Sequence, residues 1–212
     1  MADSLDTIGL TAWLRDLSIY LDAEHGGREA LDAARAALAG VPTPVASNEA
    51  PRMSDIVEAW LADALHRAVA ADAALAPLAA GFARLAPALR WYRRPTDEPD
   101  PAFEQGHANA IVIGGAGLAT LGTMIVGVSL LAPGVAYPVH RHPPDEVYVV
   151  MSDGEWWRDG TAWWTPGPGA LVHNRGGELH AMRAAATPLF AVWFLTGATA
   201  GGTPRVLAGA GR

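Results

Sequence analysis

Two hydrophobic periods divide the chain. From the N-terminus to about residue 92, apolar residues recur at the spacing of a helix. Leu5, Ile8, Trp13, Leu17 and Leu21 share one side of a first helix, which Ser4 is placed to cap and Gly26-Gly27 to end. A short helix over Arg28 to Leu38 follows, closed by Gly40 and a proline-bearing loop from Val41 to Pro51. Ser54 opens another, with Val57, Trp60, Leu61, Ala64 and Leu65 on one side. After Pro77 the period resumes with Leu78, Phe82, Leu85 and Leu89. Trp13, Trp60 and Trp91 read as core residues of this helical part.

Residues 93 to 107 carry Pro95, Pro99 and Pro101 among acidic residues and read as a linker. Beyond them the pattern shortens to strands: Thr123–Ala132, Glu146–Met151, Glu155–Arg158, Ala162–Thr165, Ala170–Asn174, Leu179–Arg183 and Leu189–Leu195. Asp159-Gly160 marks a hairpin turn between the tryptophan-bearing strands. The charge-free stretch from Ala110 to Val135 is interrupted by six glycines and reads as two buried strands rather than a membrane span. Many short strands punctuated by Gly and Pro predict a sandwich or barrel. The expected organisation is a helical region with linker over 1–107 and a β-barrel over 108–212.

Composition narrows the chemistry mainly by what is missing. The 212 residues include no cysteine, and all 15 basic residues are arginine. Thiolate nucleophiles, sulfur-ligated metals and Schiff-base chemistry are thereby excluded. A net charge of −7 argues against nucleic acid as a partner. The acidic start Met-Ala-Asp-Ser-Leu-Asp lacks the features of a signal peptide, so a cytoplasmic location is expected. Acid–base work falls to His, Asp, Glu or Tyr, with or without a metal.

The segment Pro138-Val-His-Arg-His-Pro-Pro-Asp-Glu-Val-Tyr148 supplies such groups. His140 and His142 are two apart, so on an extended chain both rings point to one side. Glu146 and Tyr148 share a face of the next strand, while Val147 and Val149 point into an apolar layer. An isolated His-x-His is more often a surface pair than a metal site. The added carboxylate and a second block around His180 change that reading, and such N/O donors suit zinc, iron, manganese, nickel or copper.

Spacing ties the two blocks to a known superfamily. Gly134 is followed after five residues by His140, then His142 and Glu146, with Gly154 closing the motif one position late. Gly169, Gly177 and His180 fall at the intervals of a second motif, in which Arg175 stands for a proline and Ala184 for an asparagine. In these features residues 123–196 resemble the cupins. The resemblance implies a mainly β fold with a helical N-terminal region, that is, a cupin β-barrel (double-stranded β-helix) preceded by α-helices. Tyr137 and Tyr148, with the strings Tyr-Pro-x-His-x-His-Pro, Glu-Val-Tyr, Glu-Trp-Trp and His-Ala-Met-Arg, are more narrowly similar to the cupin dimethylsulfoniopropionate lyases of the Q type.

The resemblance implies a divalent transition metal (zinc, iron or manganese) held by His142, Glu146 and His180, with His140 and Tyr148 joining. It implies β-elimination of dimethylsulfoniopropionate to dimethyl sulfide and acrylate. Tyr148 is the expected base, because a phenol that ordinarily titrates near pH ~10 becomes accessible beside a cation. Tyr137 is the expected second catalytic tyrosine. Trp156, Trp157, Trp163, Trp164, Trp193 and Phe194 are candidates for an aromatic wall around the sulfonium. His173 reads as a surface or supporting residue, and Arg141 and Arg183 as exposed. The expected partners are a small-molecule substrate and at most a second copy of the chain, with no membrane. Two rival readings are a different metal-dependent cupin enzyme, a dioxygenase or isomerase acting on a small acid, and a non-catalytic small-ligand binder.

Overall fold

The computed structural model describes residues 2–23, 29–45, 50–96 and 100–196. Helices α1 (Ala2–Ala23), α2 (Glu29–Leu38), α3 (Asp55–Ala71) and α4 (Ala76–Leu85) come first, and a short α5 (Pro101–Gly106) leads into the strands. A large sheet has the order β1-β3-β2-β4-β10-β6-β8, built from β1 (Thr43–Pro44), β2 (His107–Ile113), β3 (Ala119–Thr120), β4 (Ile125–Leu131), β6 (Asp145–Val150), β8 (Leu171–Asn174) and β10 (Leu189–Thr196). A small sheet, β5-β9-β7, joins β5 (Ala136–His140), β9 (His180–Arg183) and β7 (Glu155–Arg158).

Period-two alternation gives the large sheet two different faces. Val126, Val128 and Leu130 of β4, Val147 and Val149 of β6, and Phe190, Val192 and Phe194 of β10 join one apolar cluster with the helices. Leu131, Tyr148, Val150, Ala191, Trp193 and Leu195 turn the other way and pack with Tyr137, Trp156 and Met182 of the small sheet. One face therefore anchors the helices and the other closes the barrel.

Helix docking depends on tight fits. A Cβ on Gly81 would lie 2.7 Å from the Trp13 ring, so α4 admits that indole only because glycine stands there. The Trp13 Nε1–H donates to the Leu78 carbonyl at 3.1 Å, satisfying the polar edge of a fully buried ring. Phe82 fills the centre, with ring centroids 5.7 Å from Trp13, 6.1 Å from Trp91 and 5.0 Å from Phe190 of β10.

Several local expectations differ from the structure. Ser4 lies inside α1, which begins at Ala2 rather than after Ser4. Ile8 is 65% exposed, because the buried stripe of α1 runs through Leu10, Trp13, Leu14, Leu17 and Leu21. Gly26-Gly27 lies outside the described residues. Trp13 and Trp91 are buried as expected, whereas Trp60 is only half-buried.

The stretch from Ala162 to Thr165 forms no strand. It makes a single bridge, Trp156 to Trp164, with reciprocal bonds of 2.8 and 2.9 Å, before Pro166 and left-handed Gly167 turn the chain away. The Asp159-Gly160 turn is present, with Gly160 at φ +75. The supposed linker is the largest departure. It holds α5, whose N-cap Asp100 accepts from the Phe103 N–H at 3.0 Å, and it runs straight into β2.

Candidate metal centre

Four elements bring the predicted residues to one end of the barrel. Tyr137 and His140 come from β5, His142 from the loop that follows, Glu146 and Tyr148 from β6, and His180 from β9. His140 and His180 are register partners across the small sheet, and their ring centroids are 4.2 Å apart. The loops carrying the two motifs are laced together. The Gly177 N–H donates to the His142 carbonyl at 2.8 Å, and the Gly176 N–H to Asp145 Oδ1 at 2.7 Å. A Cβ on Gly176 would stand 2.2 Å from the Pro143 oxygen, which explains the glycine there.

Hydrogen bonding fixes how each imidazole presents itself. His140 Nδ1 lies 2.8 Å from the Pro138 carbonyl, His142 Nδ1 2.9 Å from that of Pro144, and His180 Nδ1 2.9 Å from that of Glu178. A carbonyl only accepts, so each Nδ1 carries a proton, which leaves Nε2 as the nitrogen through which each ring can meet a metal ion. His142 Nε2 and His180 Nε2 are buried without a hydrogen-bond partner, and each lies 3.1 Å from Glu146 Oε2. Ring nitrogens facing a carboxylate oxygen at that distance call for a cation between them. The donor atoms of His142, Glu146 and His180 all lie within 4.8 Å of one another, a set that fits a divalent transition ion. His140 stands outside that group, although its ring adjoins that of His180.

The surrounding groups tune this cluster. Burial works against a charged Glu146, yet the His142 and His180 nitrogens hold its carboxyl well below the usual range. His142 is raised, because the Glu146 charge overcomes the burial that opposes it. Burial, and then the neighbouring His180, drive His140 well below its ordinary value. Asn174, which pairs with Glu146 across β6 and β8, donates from Nδ2 to Glu146 Oε2 at 3.3 Å. Burial and the adjacent Glu146 carboxylate push the Tyr148 phenol well above its ordinary value. Burial raises Tyr137 too, opposed by the nearby Arg94 guanidinium.

The cavity lined by Tyr137, His140, His142, Glu146 and Tyr148 is also lined by Arg94, Ser129 and Trp193. The Trp193 Nε1–H donates to Ser129 Oγ at 3.1 Å, and that hydroxyl donates to Asn109 Oδ1 at 2.6 Å. Gly127 makes room for the indole, since a Cβ there would lie 2.2 Å from the ring. Trp156 is buried with its ring 6.3 Å from that of Tyr148. Phe194 faces the helices and takes no part in the cavity. Trp163 and Trp164 lie outside it, under Arg183 at 4.2 Å and Arg158 at 4.8 Å. Arg183 is further engaged by Glu155 at 2.7 Å, and Arg141 is exposed. His173 pairs with Val147 in register, so it points away from Glu146 and sits 3.4 Å from Asp145.

Four residues of this end were missed in the sequence: Arg94, His107, Ser129 and Asn174. Tyr92 and Arg94 are two apart on extended chain, and the Tyr92 and Asn109 backbones bond reciprocally at 2.8 Å. That alternation was the available signal, and the prolines and acidic residues after it concealed it.

Known proteins share the fold. A family model described as dimethylsulfoniopropionate lyase matches residues 31–191, well over half of the chain. A chain from the crystal structures of the DMSP lyases RdDddP and RnDddQII superposes with a TM-score of 0.70 at 18% identity, covering 95% of this chain and 99% of that one. The DMSP lyase DddQ from Ruegeria pomeroyi DSS-3 superposes with a TM-score of 0.60 at 22% identity, over 81% and 84% of the two chains. No curated protein matches by sequence. Among the described residues no helix is long and apolar enough to cross a membrane. With its family model, fold and clustered histidines in agreement, the chain belongs to the dimethylsulfoniopropionate lyase family.

Proposed function

We propose that the protein cleaves dimethylsulfoniopropionate by metal-dependent β-elimination, releasing dimethyl sulfide and acrylate. One observation carries the reading. Tyr148 shares a face of β6 with Glu146 and lines one cavity with His142 and Glu146, whose Oε2 lies 3.1 Å from the orphan Nε2 atoms of both His142 and His180. His142, Glu146 and His180 would hold the ion, with His140 and the Tyr148 oxygen as further donors. A divalent ion bound there would draw charge from the substrate carboxylate and acidify the neighbouring carbon.

Tyr148 then takes the proton from the carbon beside the carboxylate. The electrons of that C–H bond form the new double bond, and those of the C–S bond leave with dimethyl sulfide. Burial and Glu146 oppose a phenolate at Tyr148, so the base depends on positive charge nearby. Tyr137 is the second reading for the base, favoured by the guanidinium of Arg94 in the same cavity. The Trp193 ring is suited to the sulfonium, where a cation over an aromatic face gains roughly 0.5–2 kcal/mol. The cavity measures about 10 Å³, the space of an ion or one water, so the substrate needs these side chains to part.

Headspace detection of dimethyl sulfide from metal-loaded protein, beside Tyr148→Phe and Tyr137→Phe, tests the proposal. Rapid release that Tyr148→Phe abolishes, with the ion retained, supports it. Intact turnover in Tyr148→Phe with loss in Tyr137→Phe moves the base to Tyr137. Absence of release with every divalent ion tried sinks the lyase reading.

A further inference from the structure

One buried charge in the cavity has no role in holding the ion. Arg94 is 8% exposed, yet among the described residues it makes no ion pair, and its Nε has no hydrogen-bond partner. The groups that act on it are the phenols of Tyr137, Tyr92 and Tyr148, neutral groups that do not balance a cation. The one carboxylate lining the cavity, Glu146, is already met by His142, His180 and Asn174. A guanidinium keeps its proton under all ordinary conditions, so its burial is costly until an anion arrives.

Its placement is built rather than incidental. The Arg94 N–H donates to His107 Nε2 at 2.7 Å, while the Nδ1–H of the same ring donates to the Phe103 carbonyl. His107 is fully buried and stacks on Phe103 with centroids 3.6 Å apart. Burial holds its pKa down to about 4, which keeps Nε2 an acceptor at neutral pH. The neighbouring arginine, Arg93, turns outward to Asp55 at 2.6 Å. The chain thus sends one arginine of the pair to the surface and pins the other in the barrel.

We propose that Arg94 is the carboxylate-binding residue of this site, gripping the anionic end of a small monocarboxylate substrate. A planar guanidinium matches a carboxylate with paired N–H donors, and the anion supplies the missing countercharge. Arg94 thereby orients the carbon that loses its proton. The inference rests on the lyase reading only for the identity of that carboxylate.

Calorimetric titration of the metal-loaded protein with acrylate, and with acrylamide as its uncharged counterpart, tests the assignment. Arg94→Met is expected to weaken acrylate binding by about 10- to 100-fold, as for loss of a charged hydrogen bond, with metal content and acrylamide binding unchanged. Arg94→Lys should restore part of the loss. Acrylate binding by Arg94→Met at the parent's affinity would overturn the proposal. Should the parent release no dimethyl sulfide while acrylate binding still depends on Arg94, the lyase reading falls and the carboxylate site stands. If circular dichroism shows Arg94→Met unfolded, a crystal structure of the parent with acrylate decides. A carboxylate within hydrogen-bond distance of the guanidinium supports the assignment, and one bound elsewhere refutes it.

Discussion

The two faces of the large sheet share a backbone and almost nothing else. Toward the helices, β4, β6 and β10 present only Val, Leu and Phe, and that face joins the barrel to α1, α3 and α4 in one apolar cluster. Toward the barrel, the same strands present Ser129, Glu146, Tyr148 and Trp193, all buried, and every one of them lines the cavity. Alternation at a period of two lets three strands do both jobs, with residues one apart serving stability and chemistry. A costly cluster of buried polar groups can persist because the opposite face is fully apolar and locked to helices.

Changes on either face should therefore separate cleanly. The largest effect is expected from Tyr148→Phe, which should lower turnover by about 10²- to 10⁴-fold, as for loss of a general base, without changing the melting temperature by more than a few degrees. Turnover is read from dimethyl sulfide release and stability from a thermal melt. Phe82→Ala, on the helix side, should do the reverse. It should cost about 3–5 kcal/mol in denaturant titration, as for emptying a buried aromatic site, while the folded fraction keeps its turnover. A turnover loss exceeding the loss of folded protein would show that the two faces are coupled.

The His107 clamp sharpens the contrast through pH. The ring binds a proton at about 4 when folded and near ~6.5 when unfolded, so the unfolded chain holds more protons between those values. Stability should fall as pH drops from about 6.5 toward 4, by up to about 3 kcal/mol. His107→Asn should flatten that slope in melts recorded across the range, and an unchanged slope would assign it to other groups. The smallest effect is expected from Asn174→Ala, which removes the donor to Glu146 Oε2. Metal affinity should fall about 10- to 100-fold by competition with a chelator, leaving the fold intact.

Much of this arrangement was legible beforehand, and the reasons are physical. Strands such as Glu155–Arg158 matched residue for residue, and Leu189–Leu195 to within one, because alternating burial writes itself into the sequence. The convergence of His142, Glu146 and His180 followed from spacing within two short segments. Arg94, which lines the cavity, and His107, which holds its backbone N–H, escaped because they come from a segment of mixed polarity. There a proline-rich, acidic texture masks a short helix and the start of β2. Their burial is set by tertiary packing, which no local period reports. Ile8 failed for the opposite reason, an apolar residue placed just off the buried stripe of α1.

The most direct test strips the protein with a chelator and titrates a divalent ion back while following dimethyl sulfide in the headspace. The account predicts no release from the stripped protein, then a rise that saturates at about one ion per chain. A parallel titration of Glu146→Gln should remain near zero. Release from the stripped protein, or a fully loaded parent that produces none, would contradict the claim that His142, Glu146 and His180 hold the ion that drives the elimination.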